Sequence, residues 1–200
     1  MIEDVDMVNY VDAFASQQAG LGMALIPFVS HNDAMRALTG ANQQRQAVPL
    51  VKQETPYVGT GLEEIVARQS SWGIFAEEDG EVYYVDAKKI SVKYKQSGVR
   101  DYTLTSFYRS NENTSFTQKP VVNVGDKFKK GDVLADGPTM VGGELSVGIN
   151  LKAALMFYEG YNYEDSVIIS DRIVKDDLLT SVHIREYSVD IRDTELGPEI

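Results

Sequence analysis

From Gly73 to Phe107 the chain alternates apolar and polar residues with period two, in the runs Trp72-Gly-Ile-Phe-Ala, Val82-Tyr-Tyr-Val, Ile90-Ser-Val-Lys-Tyr and Tyr102-Thr-Leu-Thr-Ser-Phe. Such alternation marks half-buried strands, and Asp79-Gly80 between the first two runs is a hairpin signal, so the pattern predicts an antiparallel meander. Upstream, residues 22 to 29, Gly-Met-Ala-Leu-Ile-Pro-Phe-Val, read as a short buried strand entering a turn at Pro27. The period then changes to that of a helix. Ser30 or Asn32 is placed to cap, Asp33 suits the first turn, and Ala34, Ala37, Leu38 and Ala41 recur at helical spacing until Pro49 ends the pattern. On that helix Arg36 lies away from the apolar stripe.

Residues 108 to 119 are turn-rich and read as a connection. Val121 to Gly137 alternates Gly-Asp turns with short apolar runs, as small barrels and carrier-type sandwiches do. Leu151 to Phe157 suits a strand or a short helix, Val167 to Ser170 a strand, Asp171 to Asp177 a helix capped by Ser170, and Ser181 to Ile191 an alternating strand. There is no internal repeat, no low-complexity tract and no Gly-rich phosphate loop. The sum is an α+β chain, mainly antiparallel β with short helices.

Composition narrows the chemistry. With 200 residues, 43% hydrophobic and 24% charged, the chain has ordinary globular composition. It contains no apolar run of about 18 residues and no charged-then-apolar leader, so no membrane partner is expected and a cytoplasmic location follows by default. Without cysteine, and with only His31 and His183 as imidazoles, any metal must be held by oxygen, which suits magnesium better than zinc. A net charge of -11 disfavours a free-standing nucleic-acid binder. The charge is uneven: Glu3, Asp4, Asp6 and Asp12 crowd the start, whereas Arg36, Arg45 and Lys52 occur with no acid between them. That basic island is suited to an anion.

Two stretches carry candidate chemistry. Asn42-Gln-Gln-Arg-Gln46 gathers uncharged amides around one arginine, costly in side-chain entropy for a merely solvated surface, although a polar helix end is the plain alternative. Gly160-Tyr-Asn-Tyr-Glu-Asp-Ser166 sets two adjacent carboxylates before the apolar run Val167-Ile168-Ile169. Acids beside a buried strand must be solvated, paired or near a metal; the plain alternative is a turn with Glu164 and Asp165 in water. Lys127, Lys129 and Lys130 at a turn also allow a carrier-type attachment site, but no second half-repeat accompanies them.

Taken in order, Arg36-Ala-Leu-Thr-Gly-Ala-Asn-Gln-Gln-Arg-Gln-Ala-Val-Pro49, Val58-Gly-Thr-Gly61, Tyr108-Arg-Ser-Asn-Glu-Asn-Thr114, Gly131-Asp-Val-Leu-Ala-Asp-Gly-Pro138 and Gly160-Tyr-Asn-Tyr-Glu-Asp-Ser166 closely resemble the β subunit of bacterial and plastid DNA-dependent RNA polymerase. The resemblance covers nearly the whole chain. It implies three segments: residues 1–56, strand plus helix, with the Arg36 to Pro49 motif; residues 57–118, a β-meander; and residues 119–200, the first part of a double-psi β-barrel whose remaining strands lie beyond Ile200. A half barrel would leave apolar surface open.

By resemblance, Arg36 contacts the phosphates of the incoming nucleotide, and Asn42, Arg45 and Gln46 line the pocket near the RNA 3′ end. Glu164 and Asp165 match an acidic pair close to a nucleotide-borne Mg2+, acting through water. The implied reaction is two-metal phosphoryl transfer. In the family the aspartates holding the first magnesium belong to the large β′-type subunit, so this chain alone is expected to be inactive. The implied partners are that subunit, the α dimer and a sigma factor, with DNA template, RNA and nucleoside triphosphates, in the bacterial nucleoid or plastid stroma. A non-catalytic β-rich module docking on the large subunit is the competing expectation.

Overall fold

The computed structural model describes residues 7–11, 17, 19–194 and 197–199. The acidic group Glu3, Asp4, Asp6 and Asp12 falls outside the described residues. The helices are Leu21–Ala24 (α1), Ala34–Arg45 (α2), Glu63–Gln69 (α3) and Asp171–Lys175 (α4). Short strands supply the other regular elements, giving the α+β, mainly antiparallel architecture expected.

The meander is present. Strands Gly80–Val85 (β2, following Ile74–Phe75, β1), Lys89–Tyr94 (β3) and Gly98–Thr103 (β4) pair antiparallel in sequence. The β2–β3 turn is held by Asp86, whose carboxylate accepts the Lys88 and Lys89 N–H groups at 2.7 and 2.6 Å. Gly98, at φ +82°, closes the β3–β4 turn in a conformation that favours glycine. Val82 faces Val92 and Val85 faces Ile90, so one face of the sheet is apolar. It buries Ile90 and Val92 completely, with Tyr94, Leu104, Phe128, Leu134 and Ala135 in the same cluster.

After Tyr108–Arg109 (β5), Ser115–Phe116 (β6) and Lys119–Pro120 (β7), the later chain completes sheets begun earlier. Lys127–Phe128 (β8) pairs with β2, and Val133–Asp136 (β9) pairs with both β1 and β7. This corrects the expected Asp79-Gly80 hairpin: β1 and β2 are consecutive but do not pair. Gly80 is instead a strand residue, where a β-carbon would lie 2.6 Å from the Lys93 carbonyl oxygen, while Asp79 accepts the Lys130 N–H at 3.0 Å and Lys95 Nζ at 3.1 Å. Tertiary pairing overrode the local turn signal. Asp79 is held below the usual carboxylate range by that backbone N–H and by Lys95.

Other expectations need correcting. Residues 22–29 form α1 and irregular turns, not a strand, because Gly20 O collects the Met23 and Ala24 N–H groups and Gly22 and Gly40 let α1 pack against α2. Asp33, not Ser30 or Asn32, caps α2, accepting the Met35 N–H at 3.1 Å. Residues 108–119 hold the β5–β6 hairpin, where Phe116 meets Trp72 edge-on at 5.1 Å. Leu151 to Phe157 and Val167 to Ser170 form no strand or helix, and the expected strand from Ser181 reduces to single bridges at Ser181 and His183. The run from Ser181 meets the β5–β6 hairpin only briefly, through Ser115 N–H to Val182 O at 3.1 Å and Ile184 N–H to Asn113 O at 2.8 Å, too few contacts to extend into a ladder.

Residues 119–200, expected to begin a double-psi β-barrel, place their strands in several small sheets. Met140–Val141 (β10) and Glu144–Leu145 (β11) make one hairpin, Arg192–Thr194 (β12) and Gly197–Glu199 (β13) another, while β7, β8 and β9 belong to the sheets above. Among the described residues no sheet exceeds four strands or closes on itself.

Candidate functional site

Helix α2 presents the first group. Ala37 is buried, and Arg36 projects from the exposed side with no ion-pair partner among the described residues. At 100° per residue Arg45 lies about 180° around the axis from Arg36, so the two guanidiniums leave opposite flanks. Arg45 Nη2 donates to Asn42 Oδ1, and the Gln46 N–H closes the helix on the carbonyls of Asn42 and Gln43 at 3.2 Å each. Asn42, Arg45 and Gln46 are thus one local group at the helix end. Arg36 stands apart, one face free for an anion, where a guanidinium offers paired donors.

The second group sits on a knot of turns. Asn162 accepts the Tyr158 N–H at 3.1 Å and donates to Met156 O at 2.7 Å, while Ser166 Oγ reaches Tyr163 O at 2.6 Å and Tyr161 O at 3.1 Å. These local bonds hold Glu159, Gly160 and Glu164 in left-handed conformations, with φ of 49°, 77° and 56°. Glu164 and Asp165 emerge from the knot as adjacent, exposed carboxylates. The sequence reading set them against a buried strand; the structure corrects this, because Val167, Ile168 and Ile169 are exposed and unpaired. Leu155 is 104% exposed and Phe157 96%, so the whole excursion from 151 to 169 presents apolar side chains to water.

No hydrogen bond or ion pair joins Glu164 or Asp165 to Arg36, Asn42, Arg45 or Gln46 among the described residues. They are related through the segment 50–55 that follows α2. Glu54 N–H donates to Gly148 O at 2.9 Å, the Ser146 hydroxyl donates to Glu54 O, and Asn150 donates to both Glu54 Oε2 and Thr55 O. Further back, Val51 N–H donates to Thr180 O at 2.9 Å and Lys52 Nζ to Asp176 O at 2.5 Å. A cavity of about 220 Å³ lies beside these contacts, lined by Leu25, Pro27, Gln44, Glu54, Val58 and Asn150 among others. Glu54, Ser146 and Asn150 were not picked out by sequence reasoning. They are single polar residues in irregular segments, about a hundred positions apart, and no local spacing marks such a pairing.

Among the described residues no group of three or more His, Asp or Glu side chains is placed to hold a metal. Two adjacent carboxylates alone make an incomplete shell for magnesium, which keeps several waters and takes one or two carboxylates together with substrate phosphates. Their hard oxygen chemistry fits that supporting role. The Lys127–Lys130 turn is structural: Lys127 pairs with Glu81 across β8 and β2, and the Lys129 N–H is taken by Asp132 at 2.8 Å.

The chain is thus an α+β protein of small antiparallel sheets, with an exposed arginine on one helix and an acidic pair on a separate turn. The chain belongs to the RNA polymerase Rpb2, domain 6 family, whose model matches residues 75–200. It is 50% identical over 195 residues to the DNA-directed RNA polymerase subunit beta of Enterococcus faecalis, covering 98% of this chain and 16% of that protein. A relative of the same name from Enterococcus faecium is 48% identical over the same length and coverage. The chain thus spans about 16% of the length of the curated relatives it matches.

Proposed function

We propose that this chain supplies nucleotide and RNA 3′-end contacts to template-directed RNA synthesis, as part of a DNA-directed RNA polymerase β subunit. The observation that carries the reading is 50% identity to a protein of that name over 195 residues, 98% of this chain. Arg36 binds the triphosphate of the incoming nucleotide; Asn42, Arg45 and Gln46 meet sugar and phosphate oxygens at the RNA end. The Arg45–Asn42 bond orients both side chains before any ligand arrives. Glu164 and Asp165 accept hydrogen bonds from water around a nucleotide-borne magnesium. When bound in the assembly, magnesium stabilises the charge on the attacking and leaving oxygens.

The reading makes the isolated chain inactive, since the donors for the first magnesium come from elsewhere. Its partners are a large β′-type subunit, the α dimer and a sigma factor, with DNA, RNA and nucleoside triphosphates, in the cytoplasm at the nucleoid; a plastid stroma is the counterpart for a plastid protein. Among the described residues no helix is long and apolar enough to cross a membrane. A second reading, a docking module with no substrate contact, is favoured by the exposed side chains of Leu155, Phe157, Tyr161 and Tyr163.

Arg36→Ala in the full subunit, assembled into the polymerase, separates the two. Loss of a phosphate contact lowers kcat/KM for the nucleotide by roughly tenfold or more per assembled enzyme. A docking role alone instead gives less assembled enzyme with unchanged kinetics, and that result would overturn the catalytic reading.

A further inference from the structure

The excursion that carries Glu164 and Asp165 is fastened at both ends to the segment following the Arg36 helix. At its start Asn150 donates its backbone N–H and its Nδ2 to Glu54 Oε2, at 3.1 and 3.2 Å, and Nδ2 also reaches Thr55 O at 2.9 Å. At its end the fastening runs mainly through backbone, from Val51 N–H to Thr180 O. Between the two anchors residues 151–170 have no regular structure, and the hydrogen bonds of Asn162 and Ser166 stay inside the excursion. The knot therefore fixes the shape of the acidic turn but not its place in the molecule. Placement comes from the anchors; among the described residues the one set by paired side chains is Glu54 with Asn150, whereas Lys52 Nζ meets a backbone carbonyl, that of Asp176.

We propose that Glu54 and Asn150 form a positioning clamp that sets the acidic pair at its working distance from the Arg36 helix. The proposal rests on the reading above, in which the two groups serve one nucleoside triphosphate. Groups gripping a single substrate from separate elements must be held within a fraction of an ångström of productive geometry. Helix α2 ends at Arg45 and is joined to the segment 50–55 by the four residues 46–49, so the clamp ties residue 150 to the chain that leaves that helix. Neither clamp residue touches substrate; both are positioning residues.

The test uses the full-length subunit in reconstituted polymerase on a preformed DNA–RNA scaffold. Asn150→Asp keeps the shape but turns a donor into an acceptor facing the Glu54 carboxylate. The half-saturating magnesium concentration and the nucleotide KM are expected to rise together by about tenfold, with kcat at saturation changed far less. Adding Glu54→Gln returns a donor opposite the new carboxylate and brings both values to within about threefold of the parent. Should Asn150→Asp prevent assembly, Glu54→Ala takes its place, with Glu54→Gln as the conservative comparison that retains an acceptor oxygen.

Two results overturn the clamp: Asn150→Asp leaves both values unchanged while Glu164→Gln/Asp165→Asn raises the magnesium requirement, or the double variant is as impaired as Asn150→Asp. If Glu164→Gln/Asp165→Asn itself changes neither value, the role given to the acidic pair has failed, and the clamp falls with it.

Discussion

Gly59 and Glu63 are fitted to one another: Glu63 folds back over the loop before its own helix, and a β-carbon at residue 59 would lie 2.8 Å from Glu63 Oε1. In that position the carboxylate accepts the Thr60 and Gly61 N–H groups, both at 2.8 Å. Gly61 completes the loop at φ +83°. The motif Val58-Gly-Thr-Gly61 is thus a mould for a buried carboxylate that orders the start of α3.

Gly59→Ala is expected to destabilise the chain by about 1–3 kcal/mol, because the added methyl group meets a carboxylate fixed by two backbone donors and cannot be relieved without breaking them. Urea titration of the 200-residue chain measures it. An unchanged midpoint would mean that Glu63 does not occupy this mould.

Glu63 also sets a pH dependence. Burial, at 7% exposure, pushes its carboxyl up, but the hydrogen bonds from Thr60 and Gly61 outweigh burial and hold it below the ordinary value of 4.5. A carboxyl depressed on folding stabilises the fold above its unfolded pKa and loses that contribution as pH falls through the folded value. Stability should therefore decline below about pH 4.5, and part of that decline should vanish in Glu63→Gln. The same variant should cost about 1.5 kcal/mol at neutral pH, where the charge-assisted bonds are lost. Unfolding curves between pH 3 and 7 decide it: parallel pH profiles for the two proteins would contradict this role.

What was legible in the sequence was what neighbours in the chain decide. Helix α2 follows from apolar spacing within a dozen residues, although its cap falls at Asp33 rather than at Ser30 or Asn32, and the β2–β3–β4 meander follows from alternation of apolar and polar residues. The β1–β9 pairing joins Phe75 to Val133, and the Glu54–Asn150 contact spans 96 positions; nothing local announces either. The acidic pair was found because two adjacent acids before three β-branched residues are unusual. Its setting was misread because exposure of Val167, Ile168 and Ile169 depends on which other strands reach them.

Leu134 shows what the long-range pairing is worth. It lies on β9, is fully buried, and packs in one cluster with Ile90, Val92 and Phe128 of the four-stranded sheet while its carbonyl accepts the Val121 N–H at 3.0 Å. Leu134→Ala should cost about 2–5 kcal/mol, the range for a leucine whose cavity cannot collapse. Val99→Ala on the exposed face should stay within about 0.5 kcal/mol. Similar losses for both would mean that the two sheets do not share a core.

The exposed excursion predicts how the isolated chain behaves in solution. Leu155 and Phe157 lie in a stretch with no ladder or helix, and they meet nothing that would be lost on substitution. Apolar side chains held in water favour self-association, since each pair of chains that covers them removes apolar area at roughly 25 cal/mol per Å². Leu155→Ser/Phe157→Ser should therefore shift sedimentation from associated species to monomer while the unfolding free energy changes by less than about 0.5 kcal/mol. On the docking reading, the same pair of changes should weaken assembly of the polymerase. A clear loss of stability in the isolated chain would show instead that these side chains are packed within the fold, and the docking surface would have to be sought elsewhere.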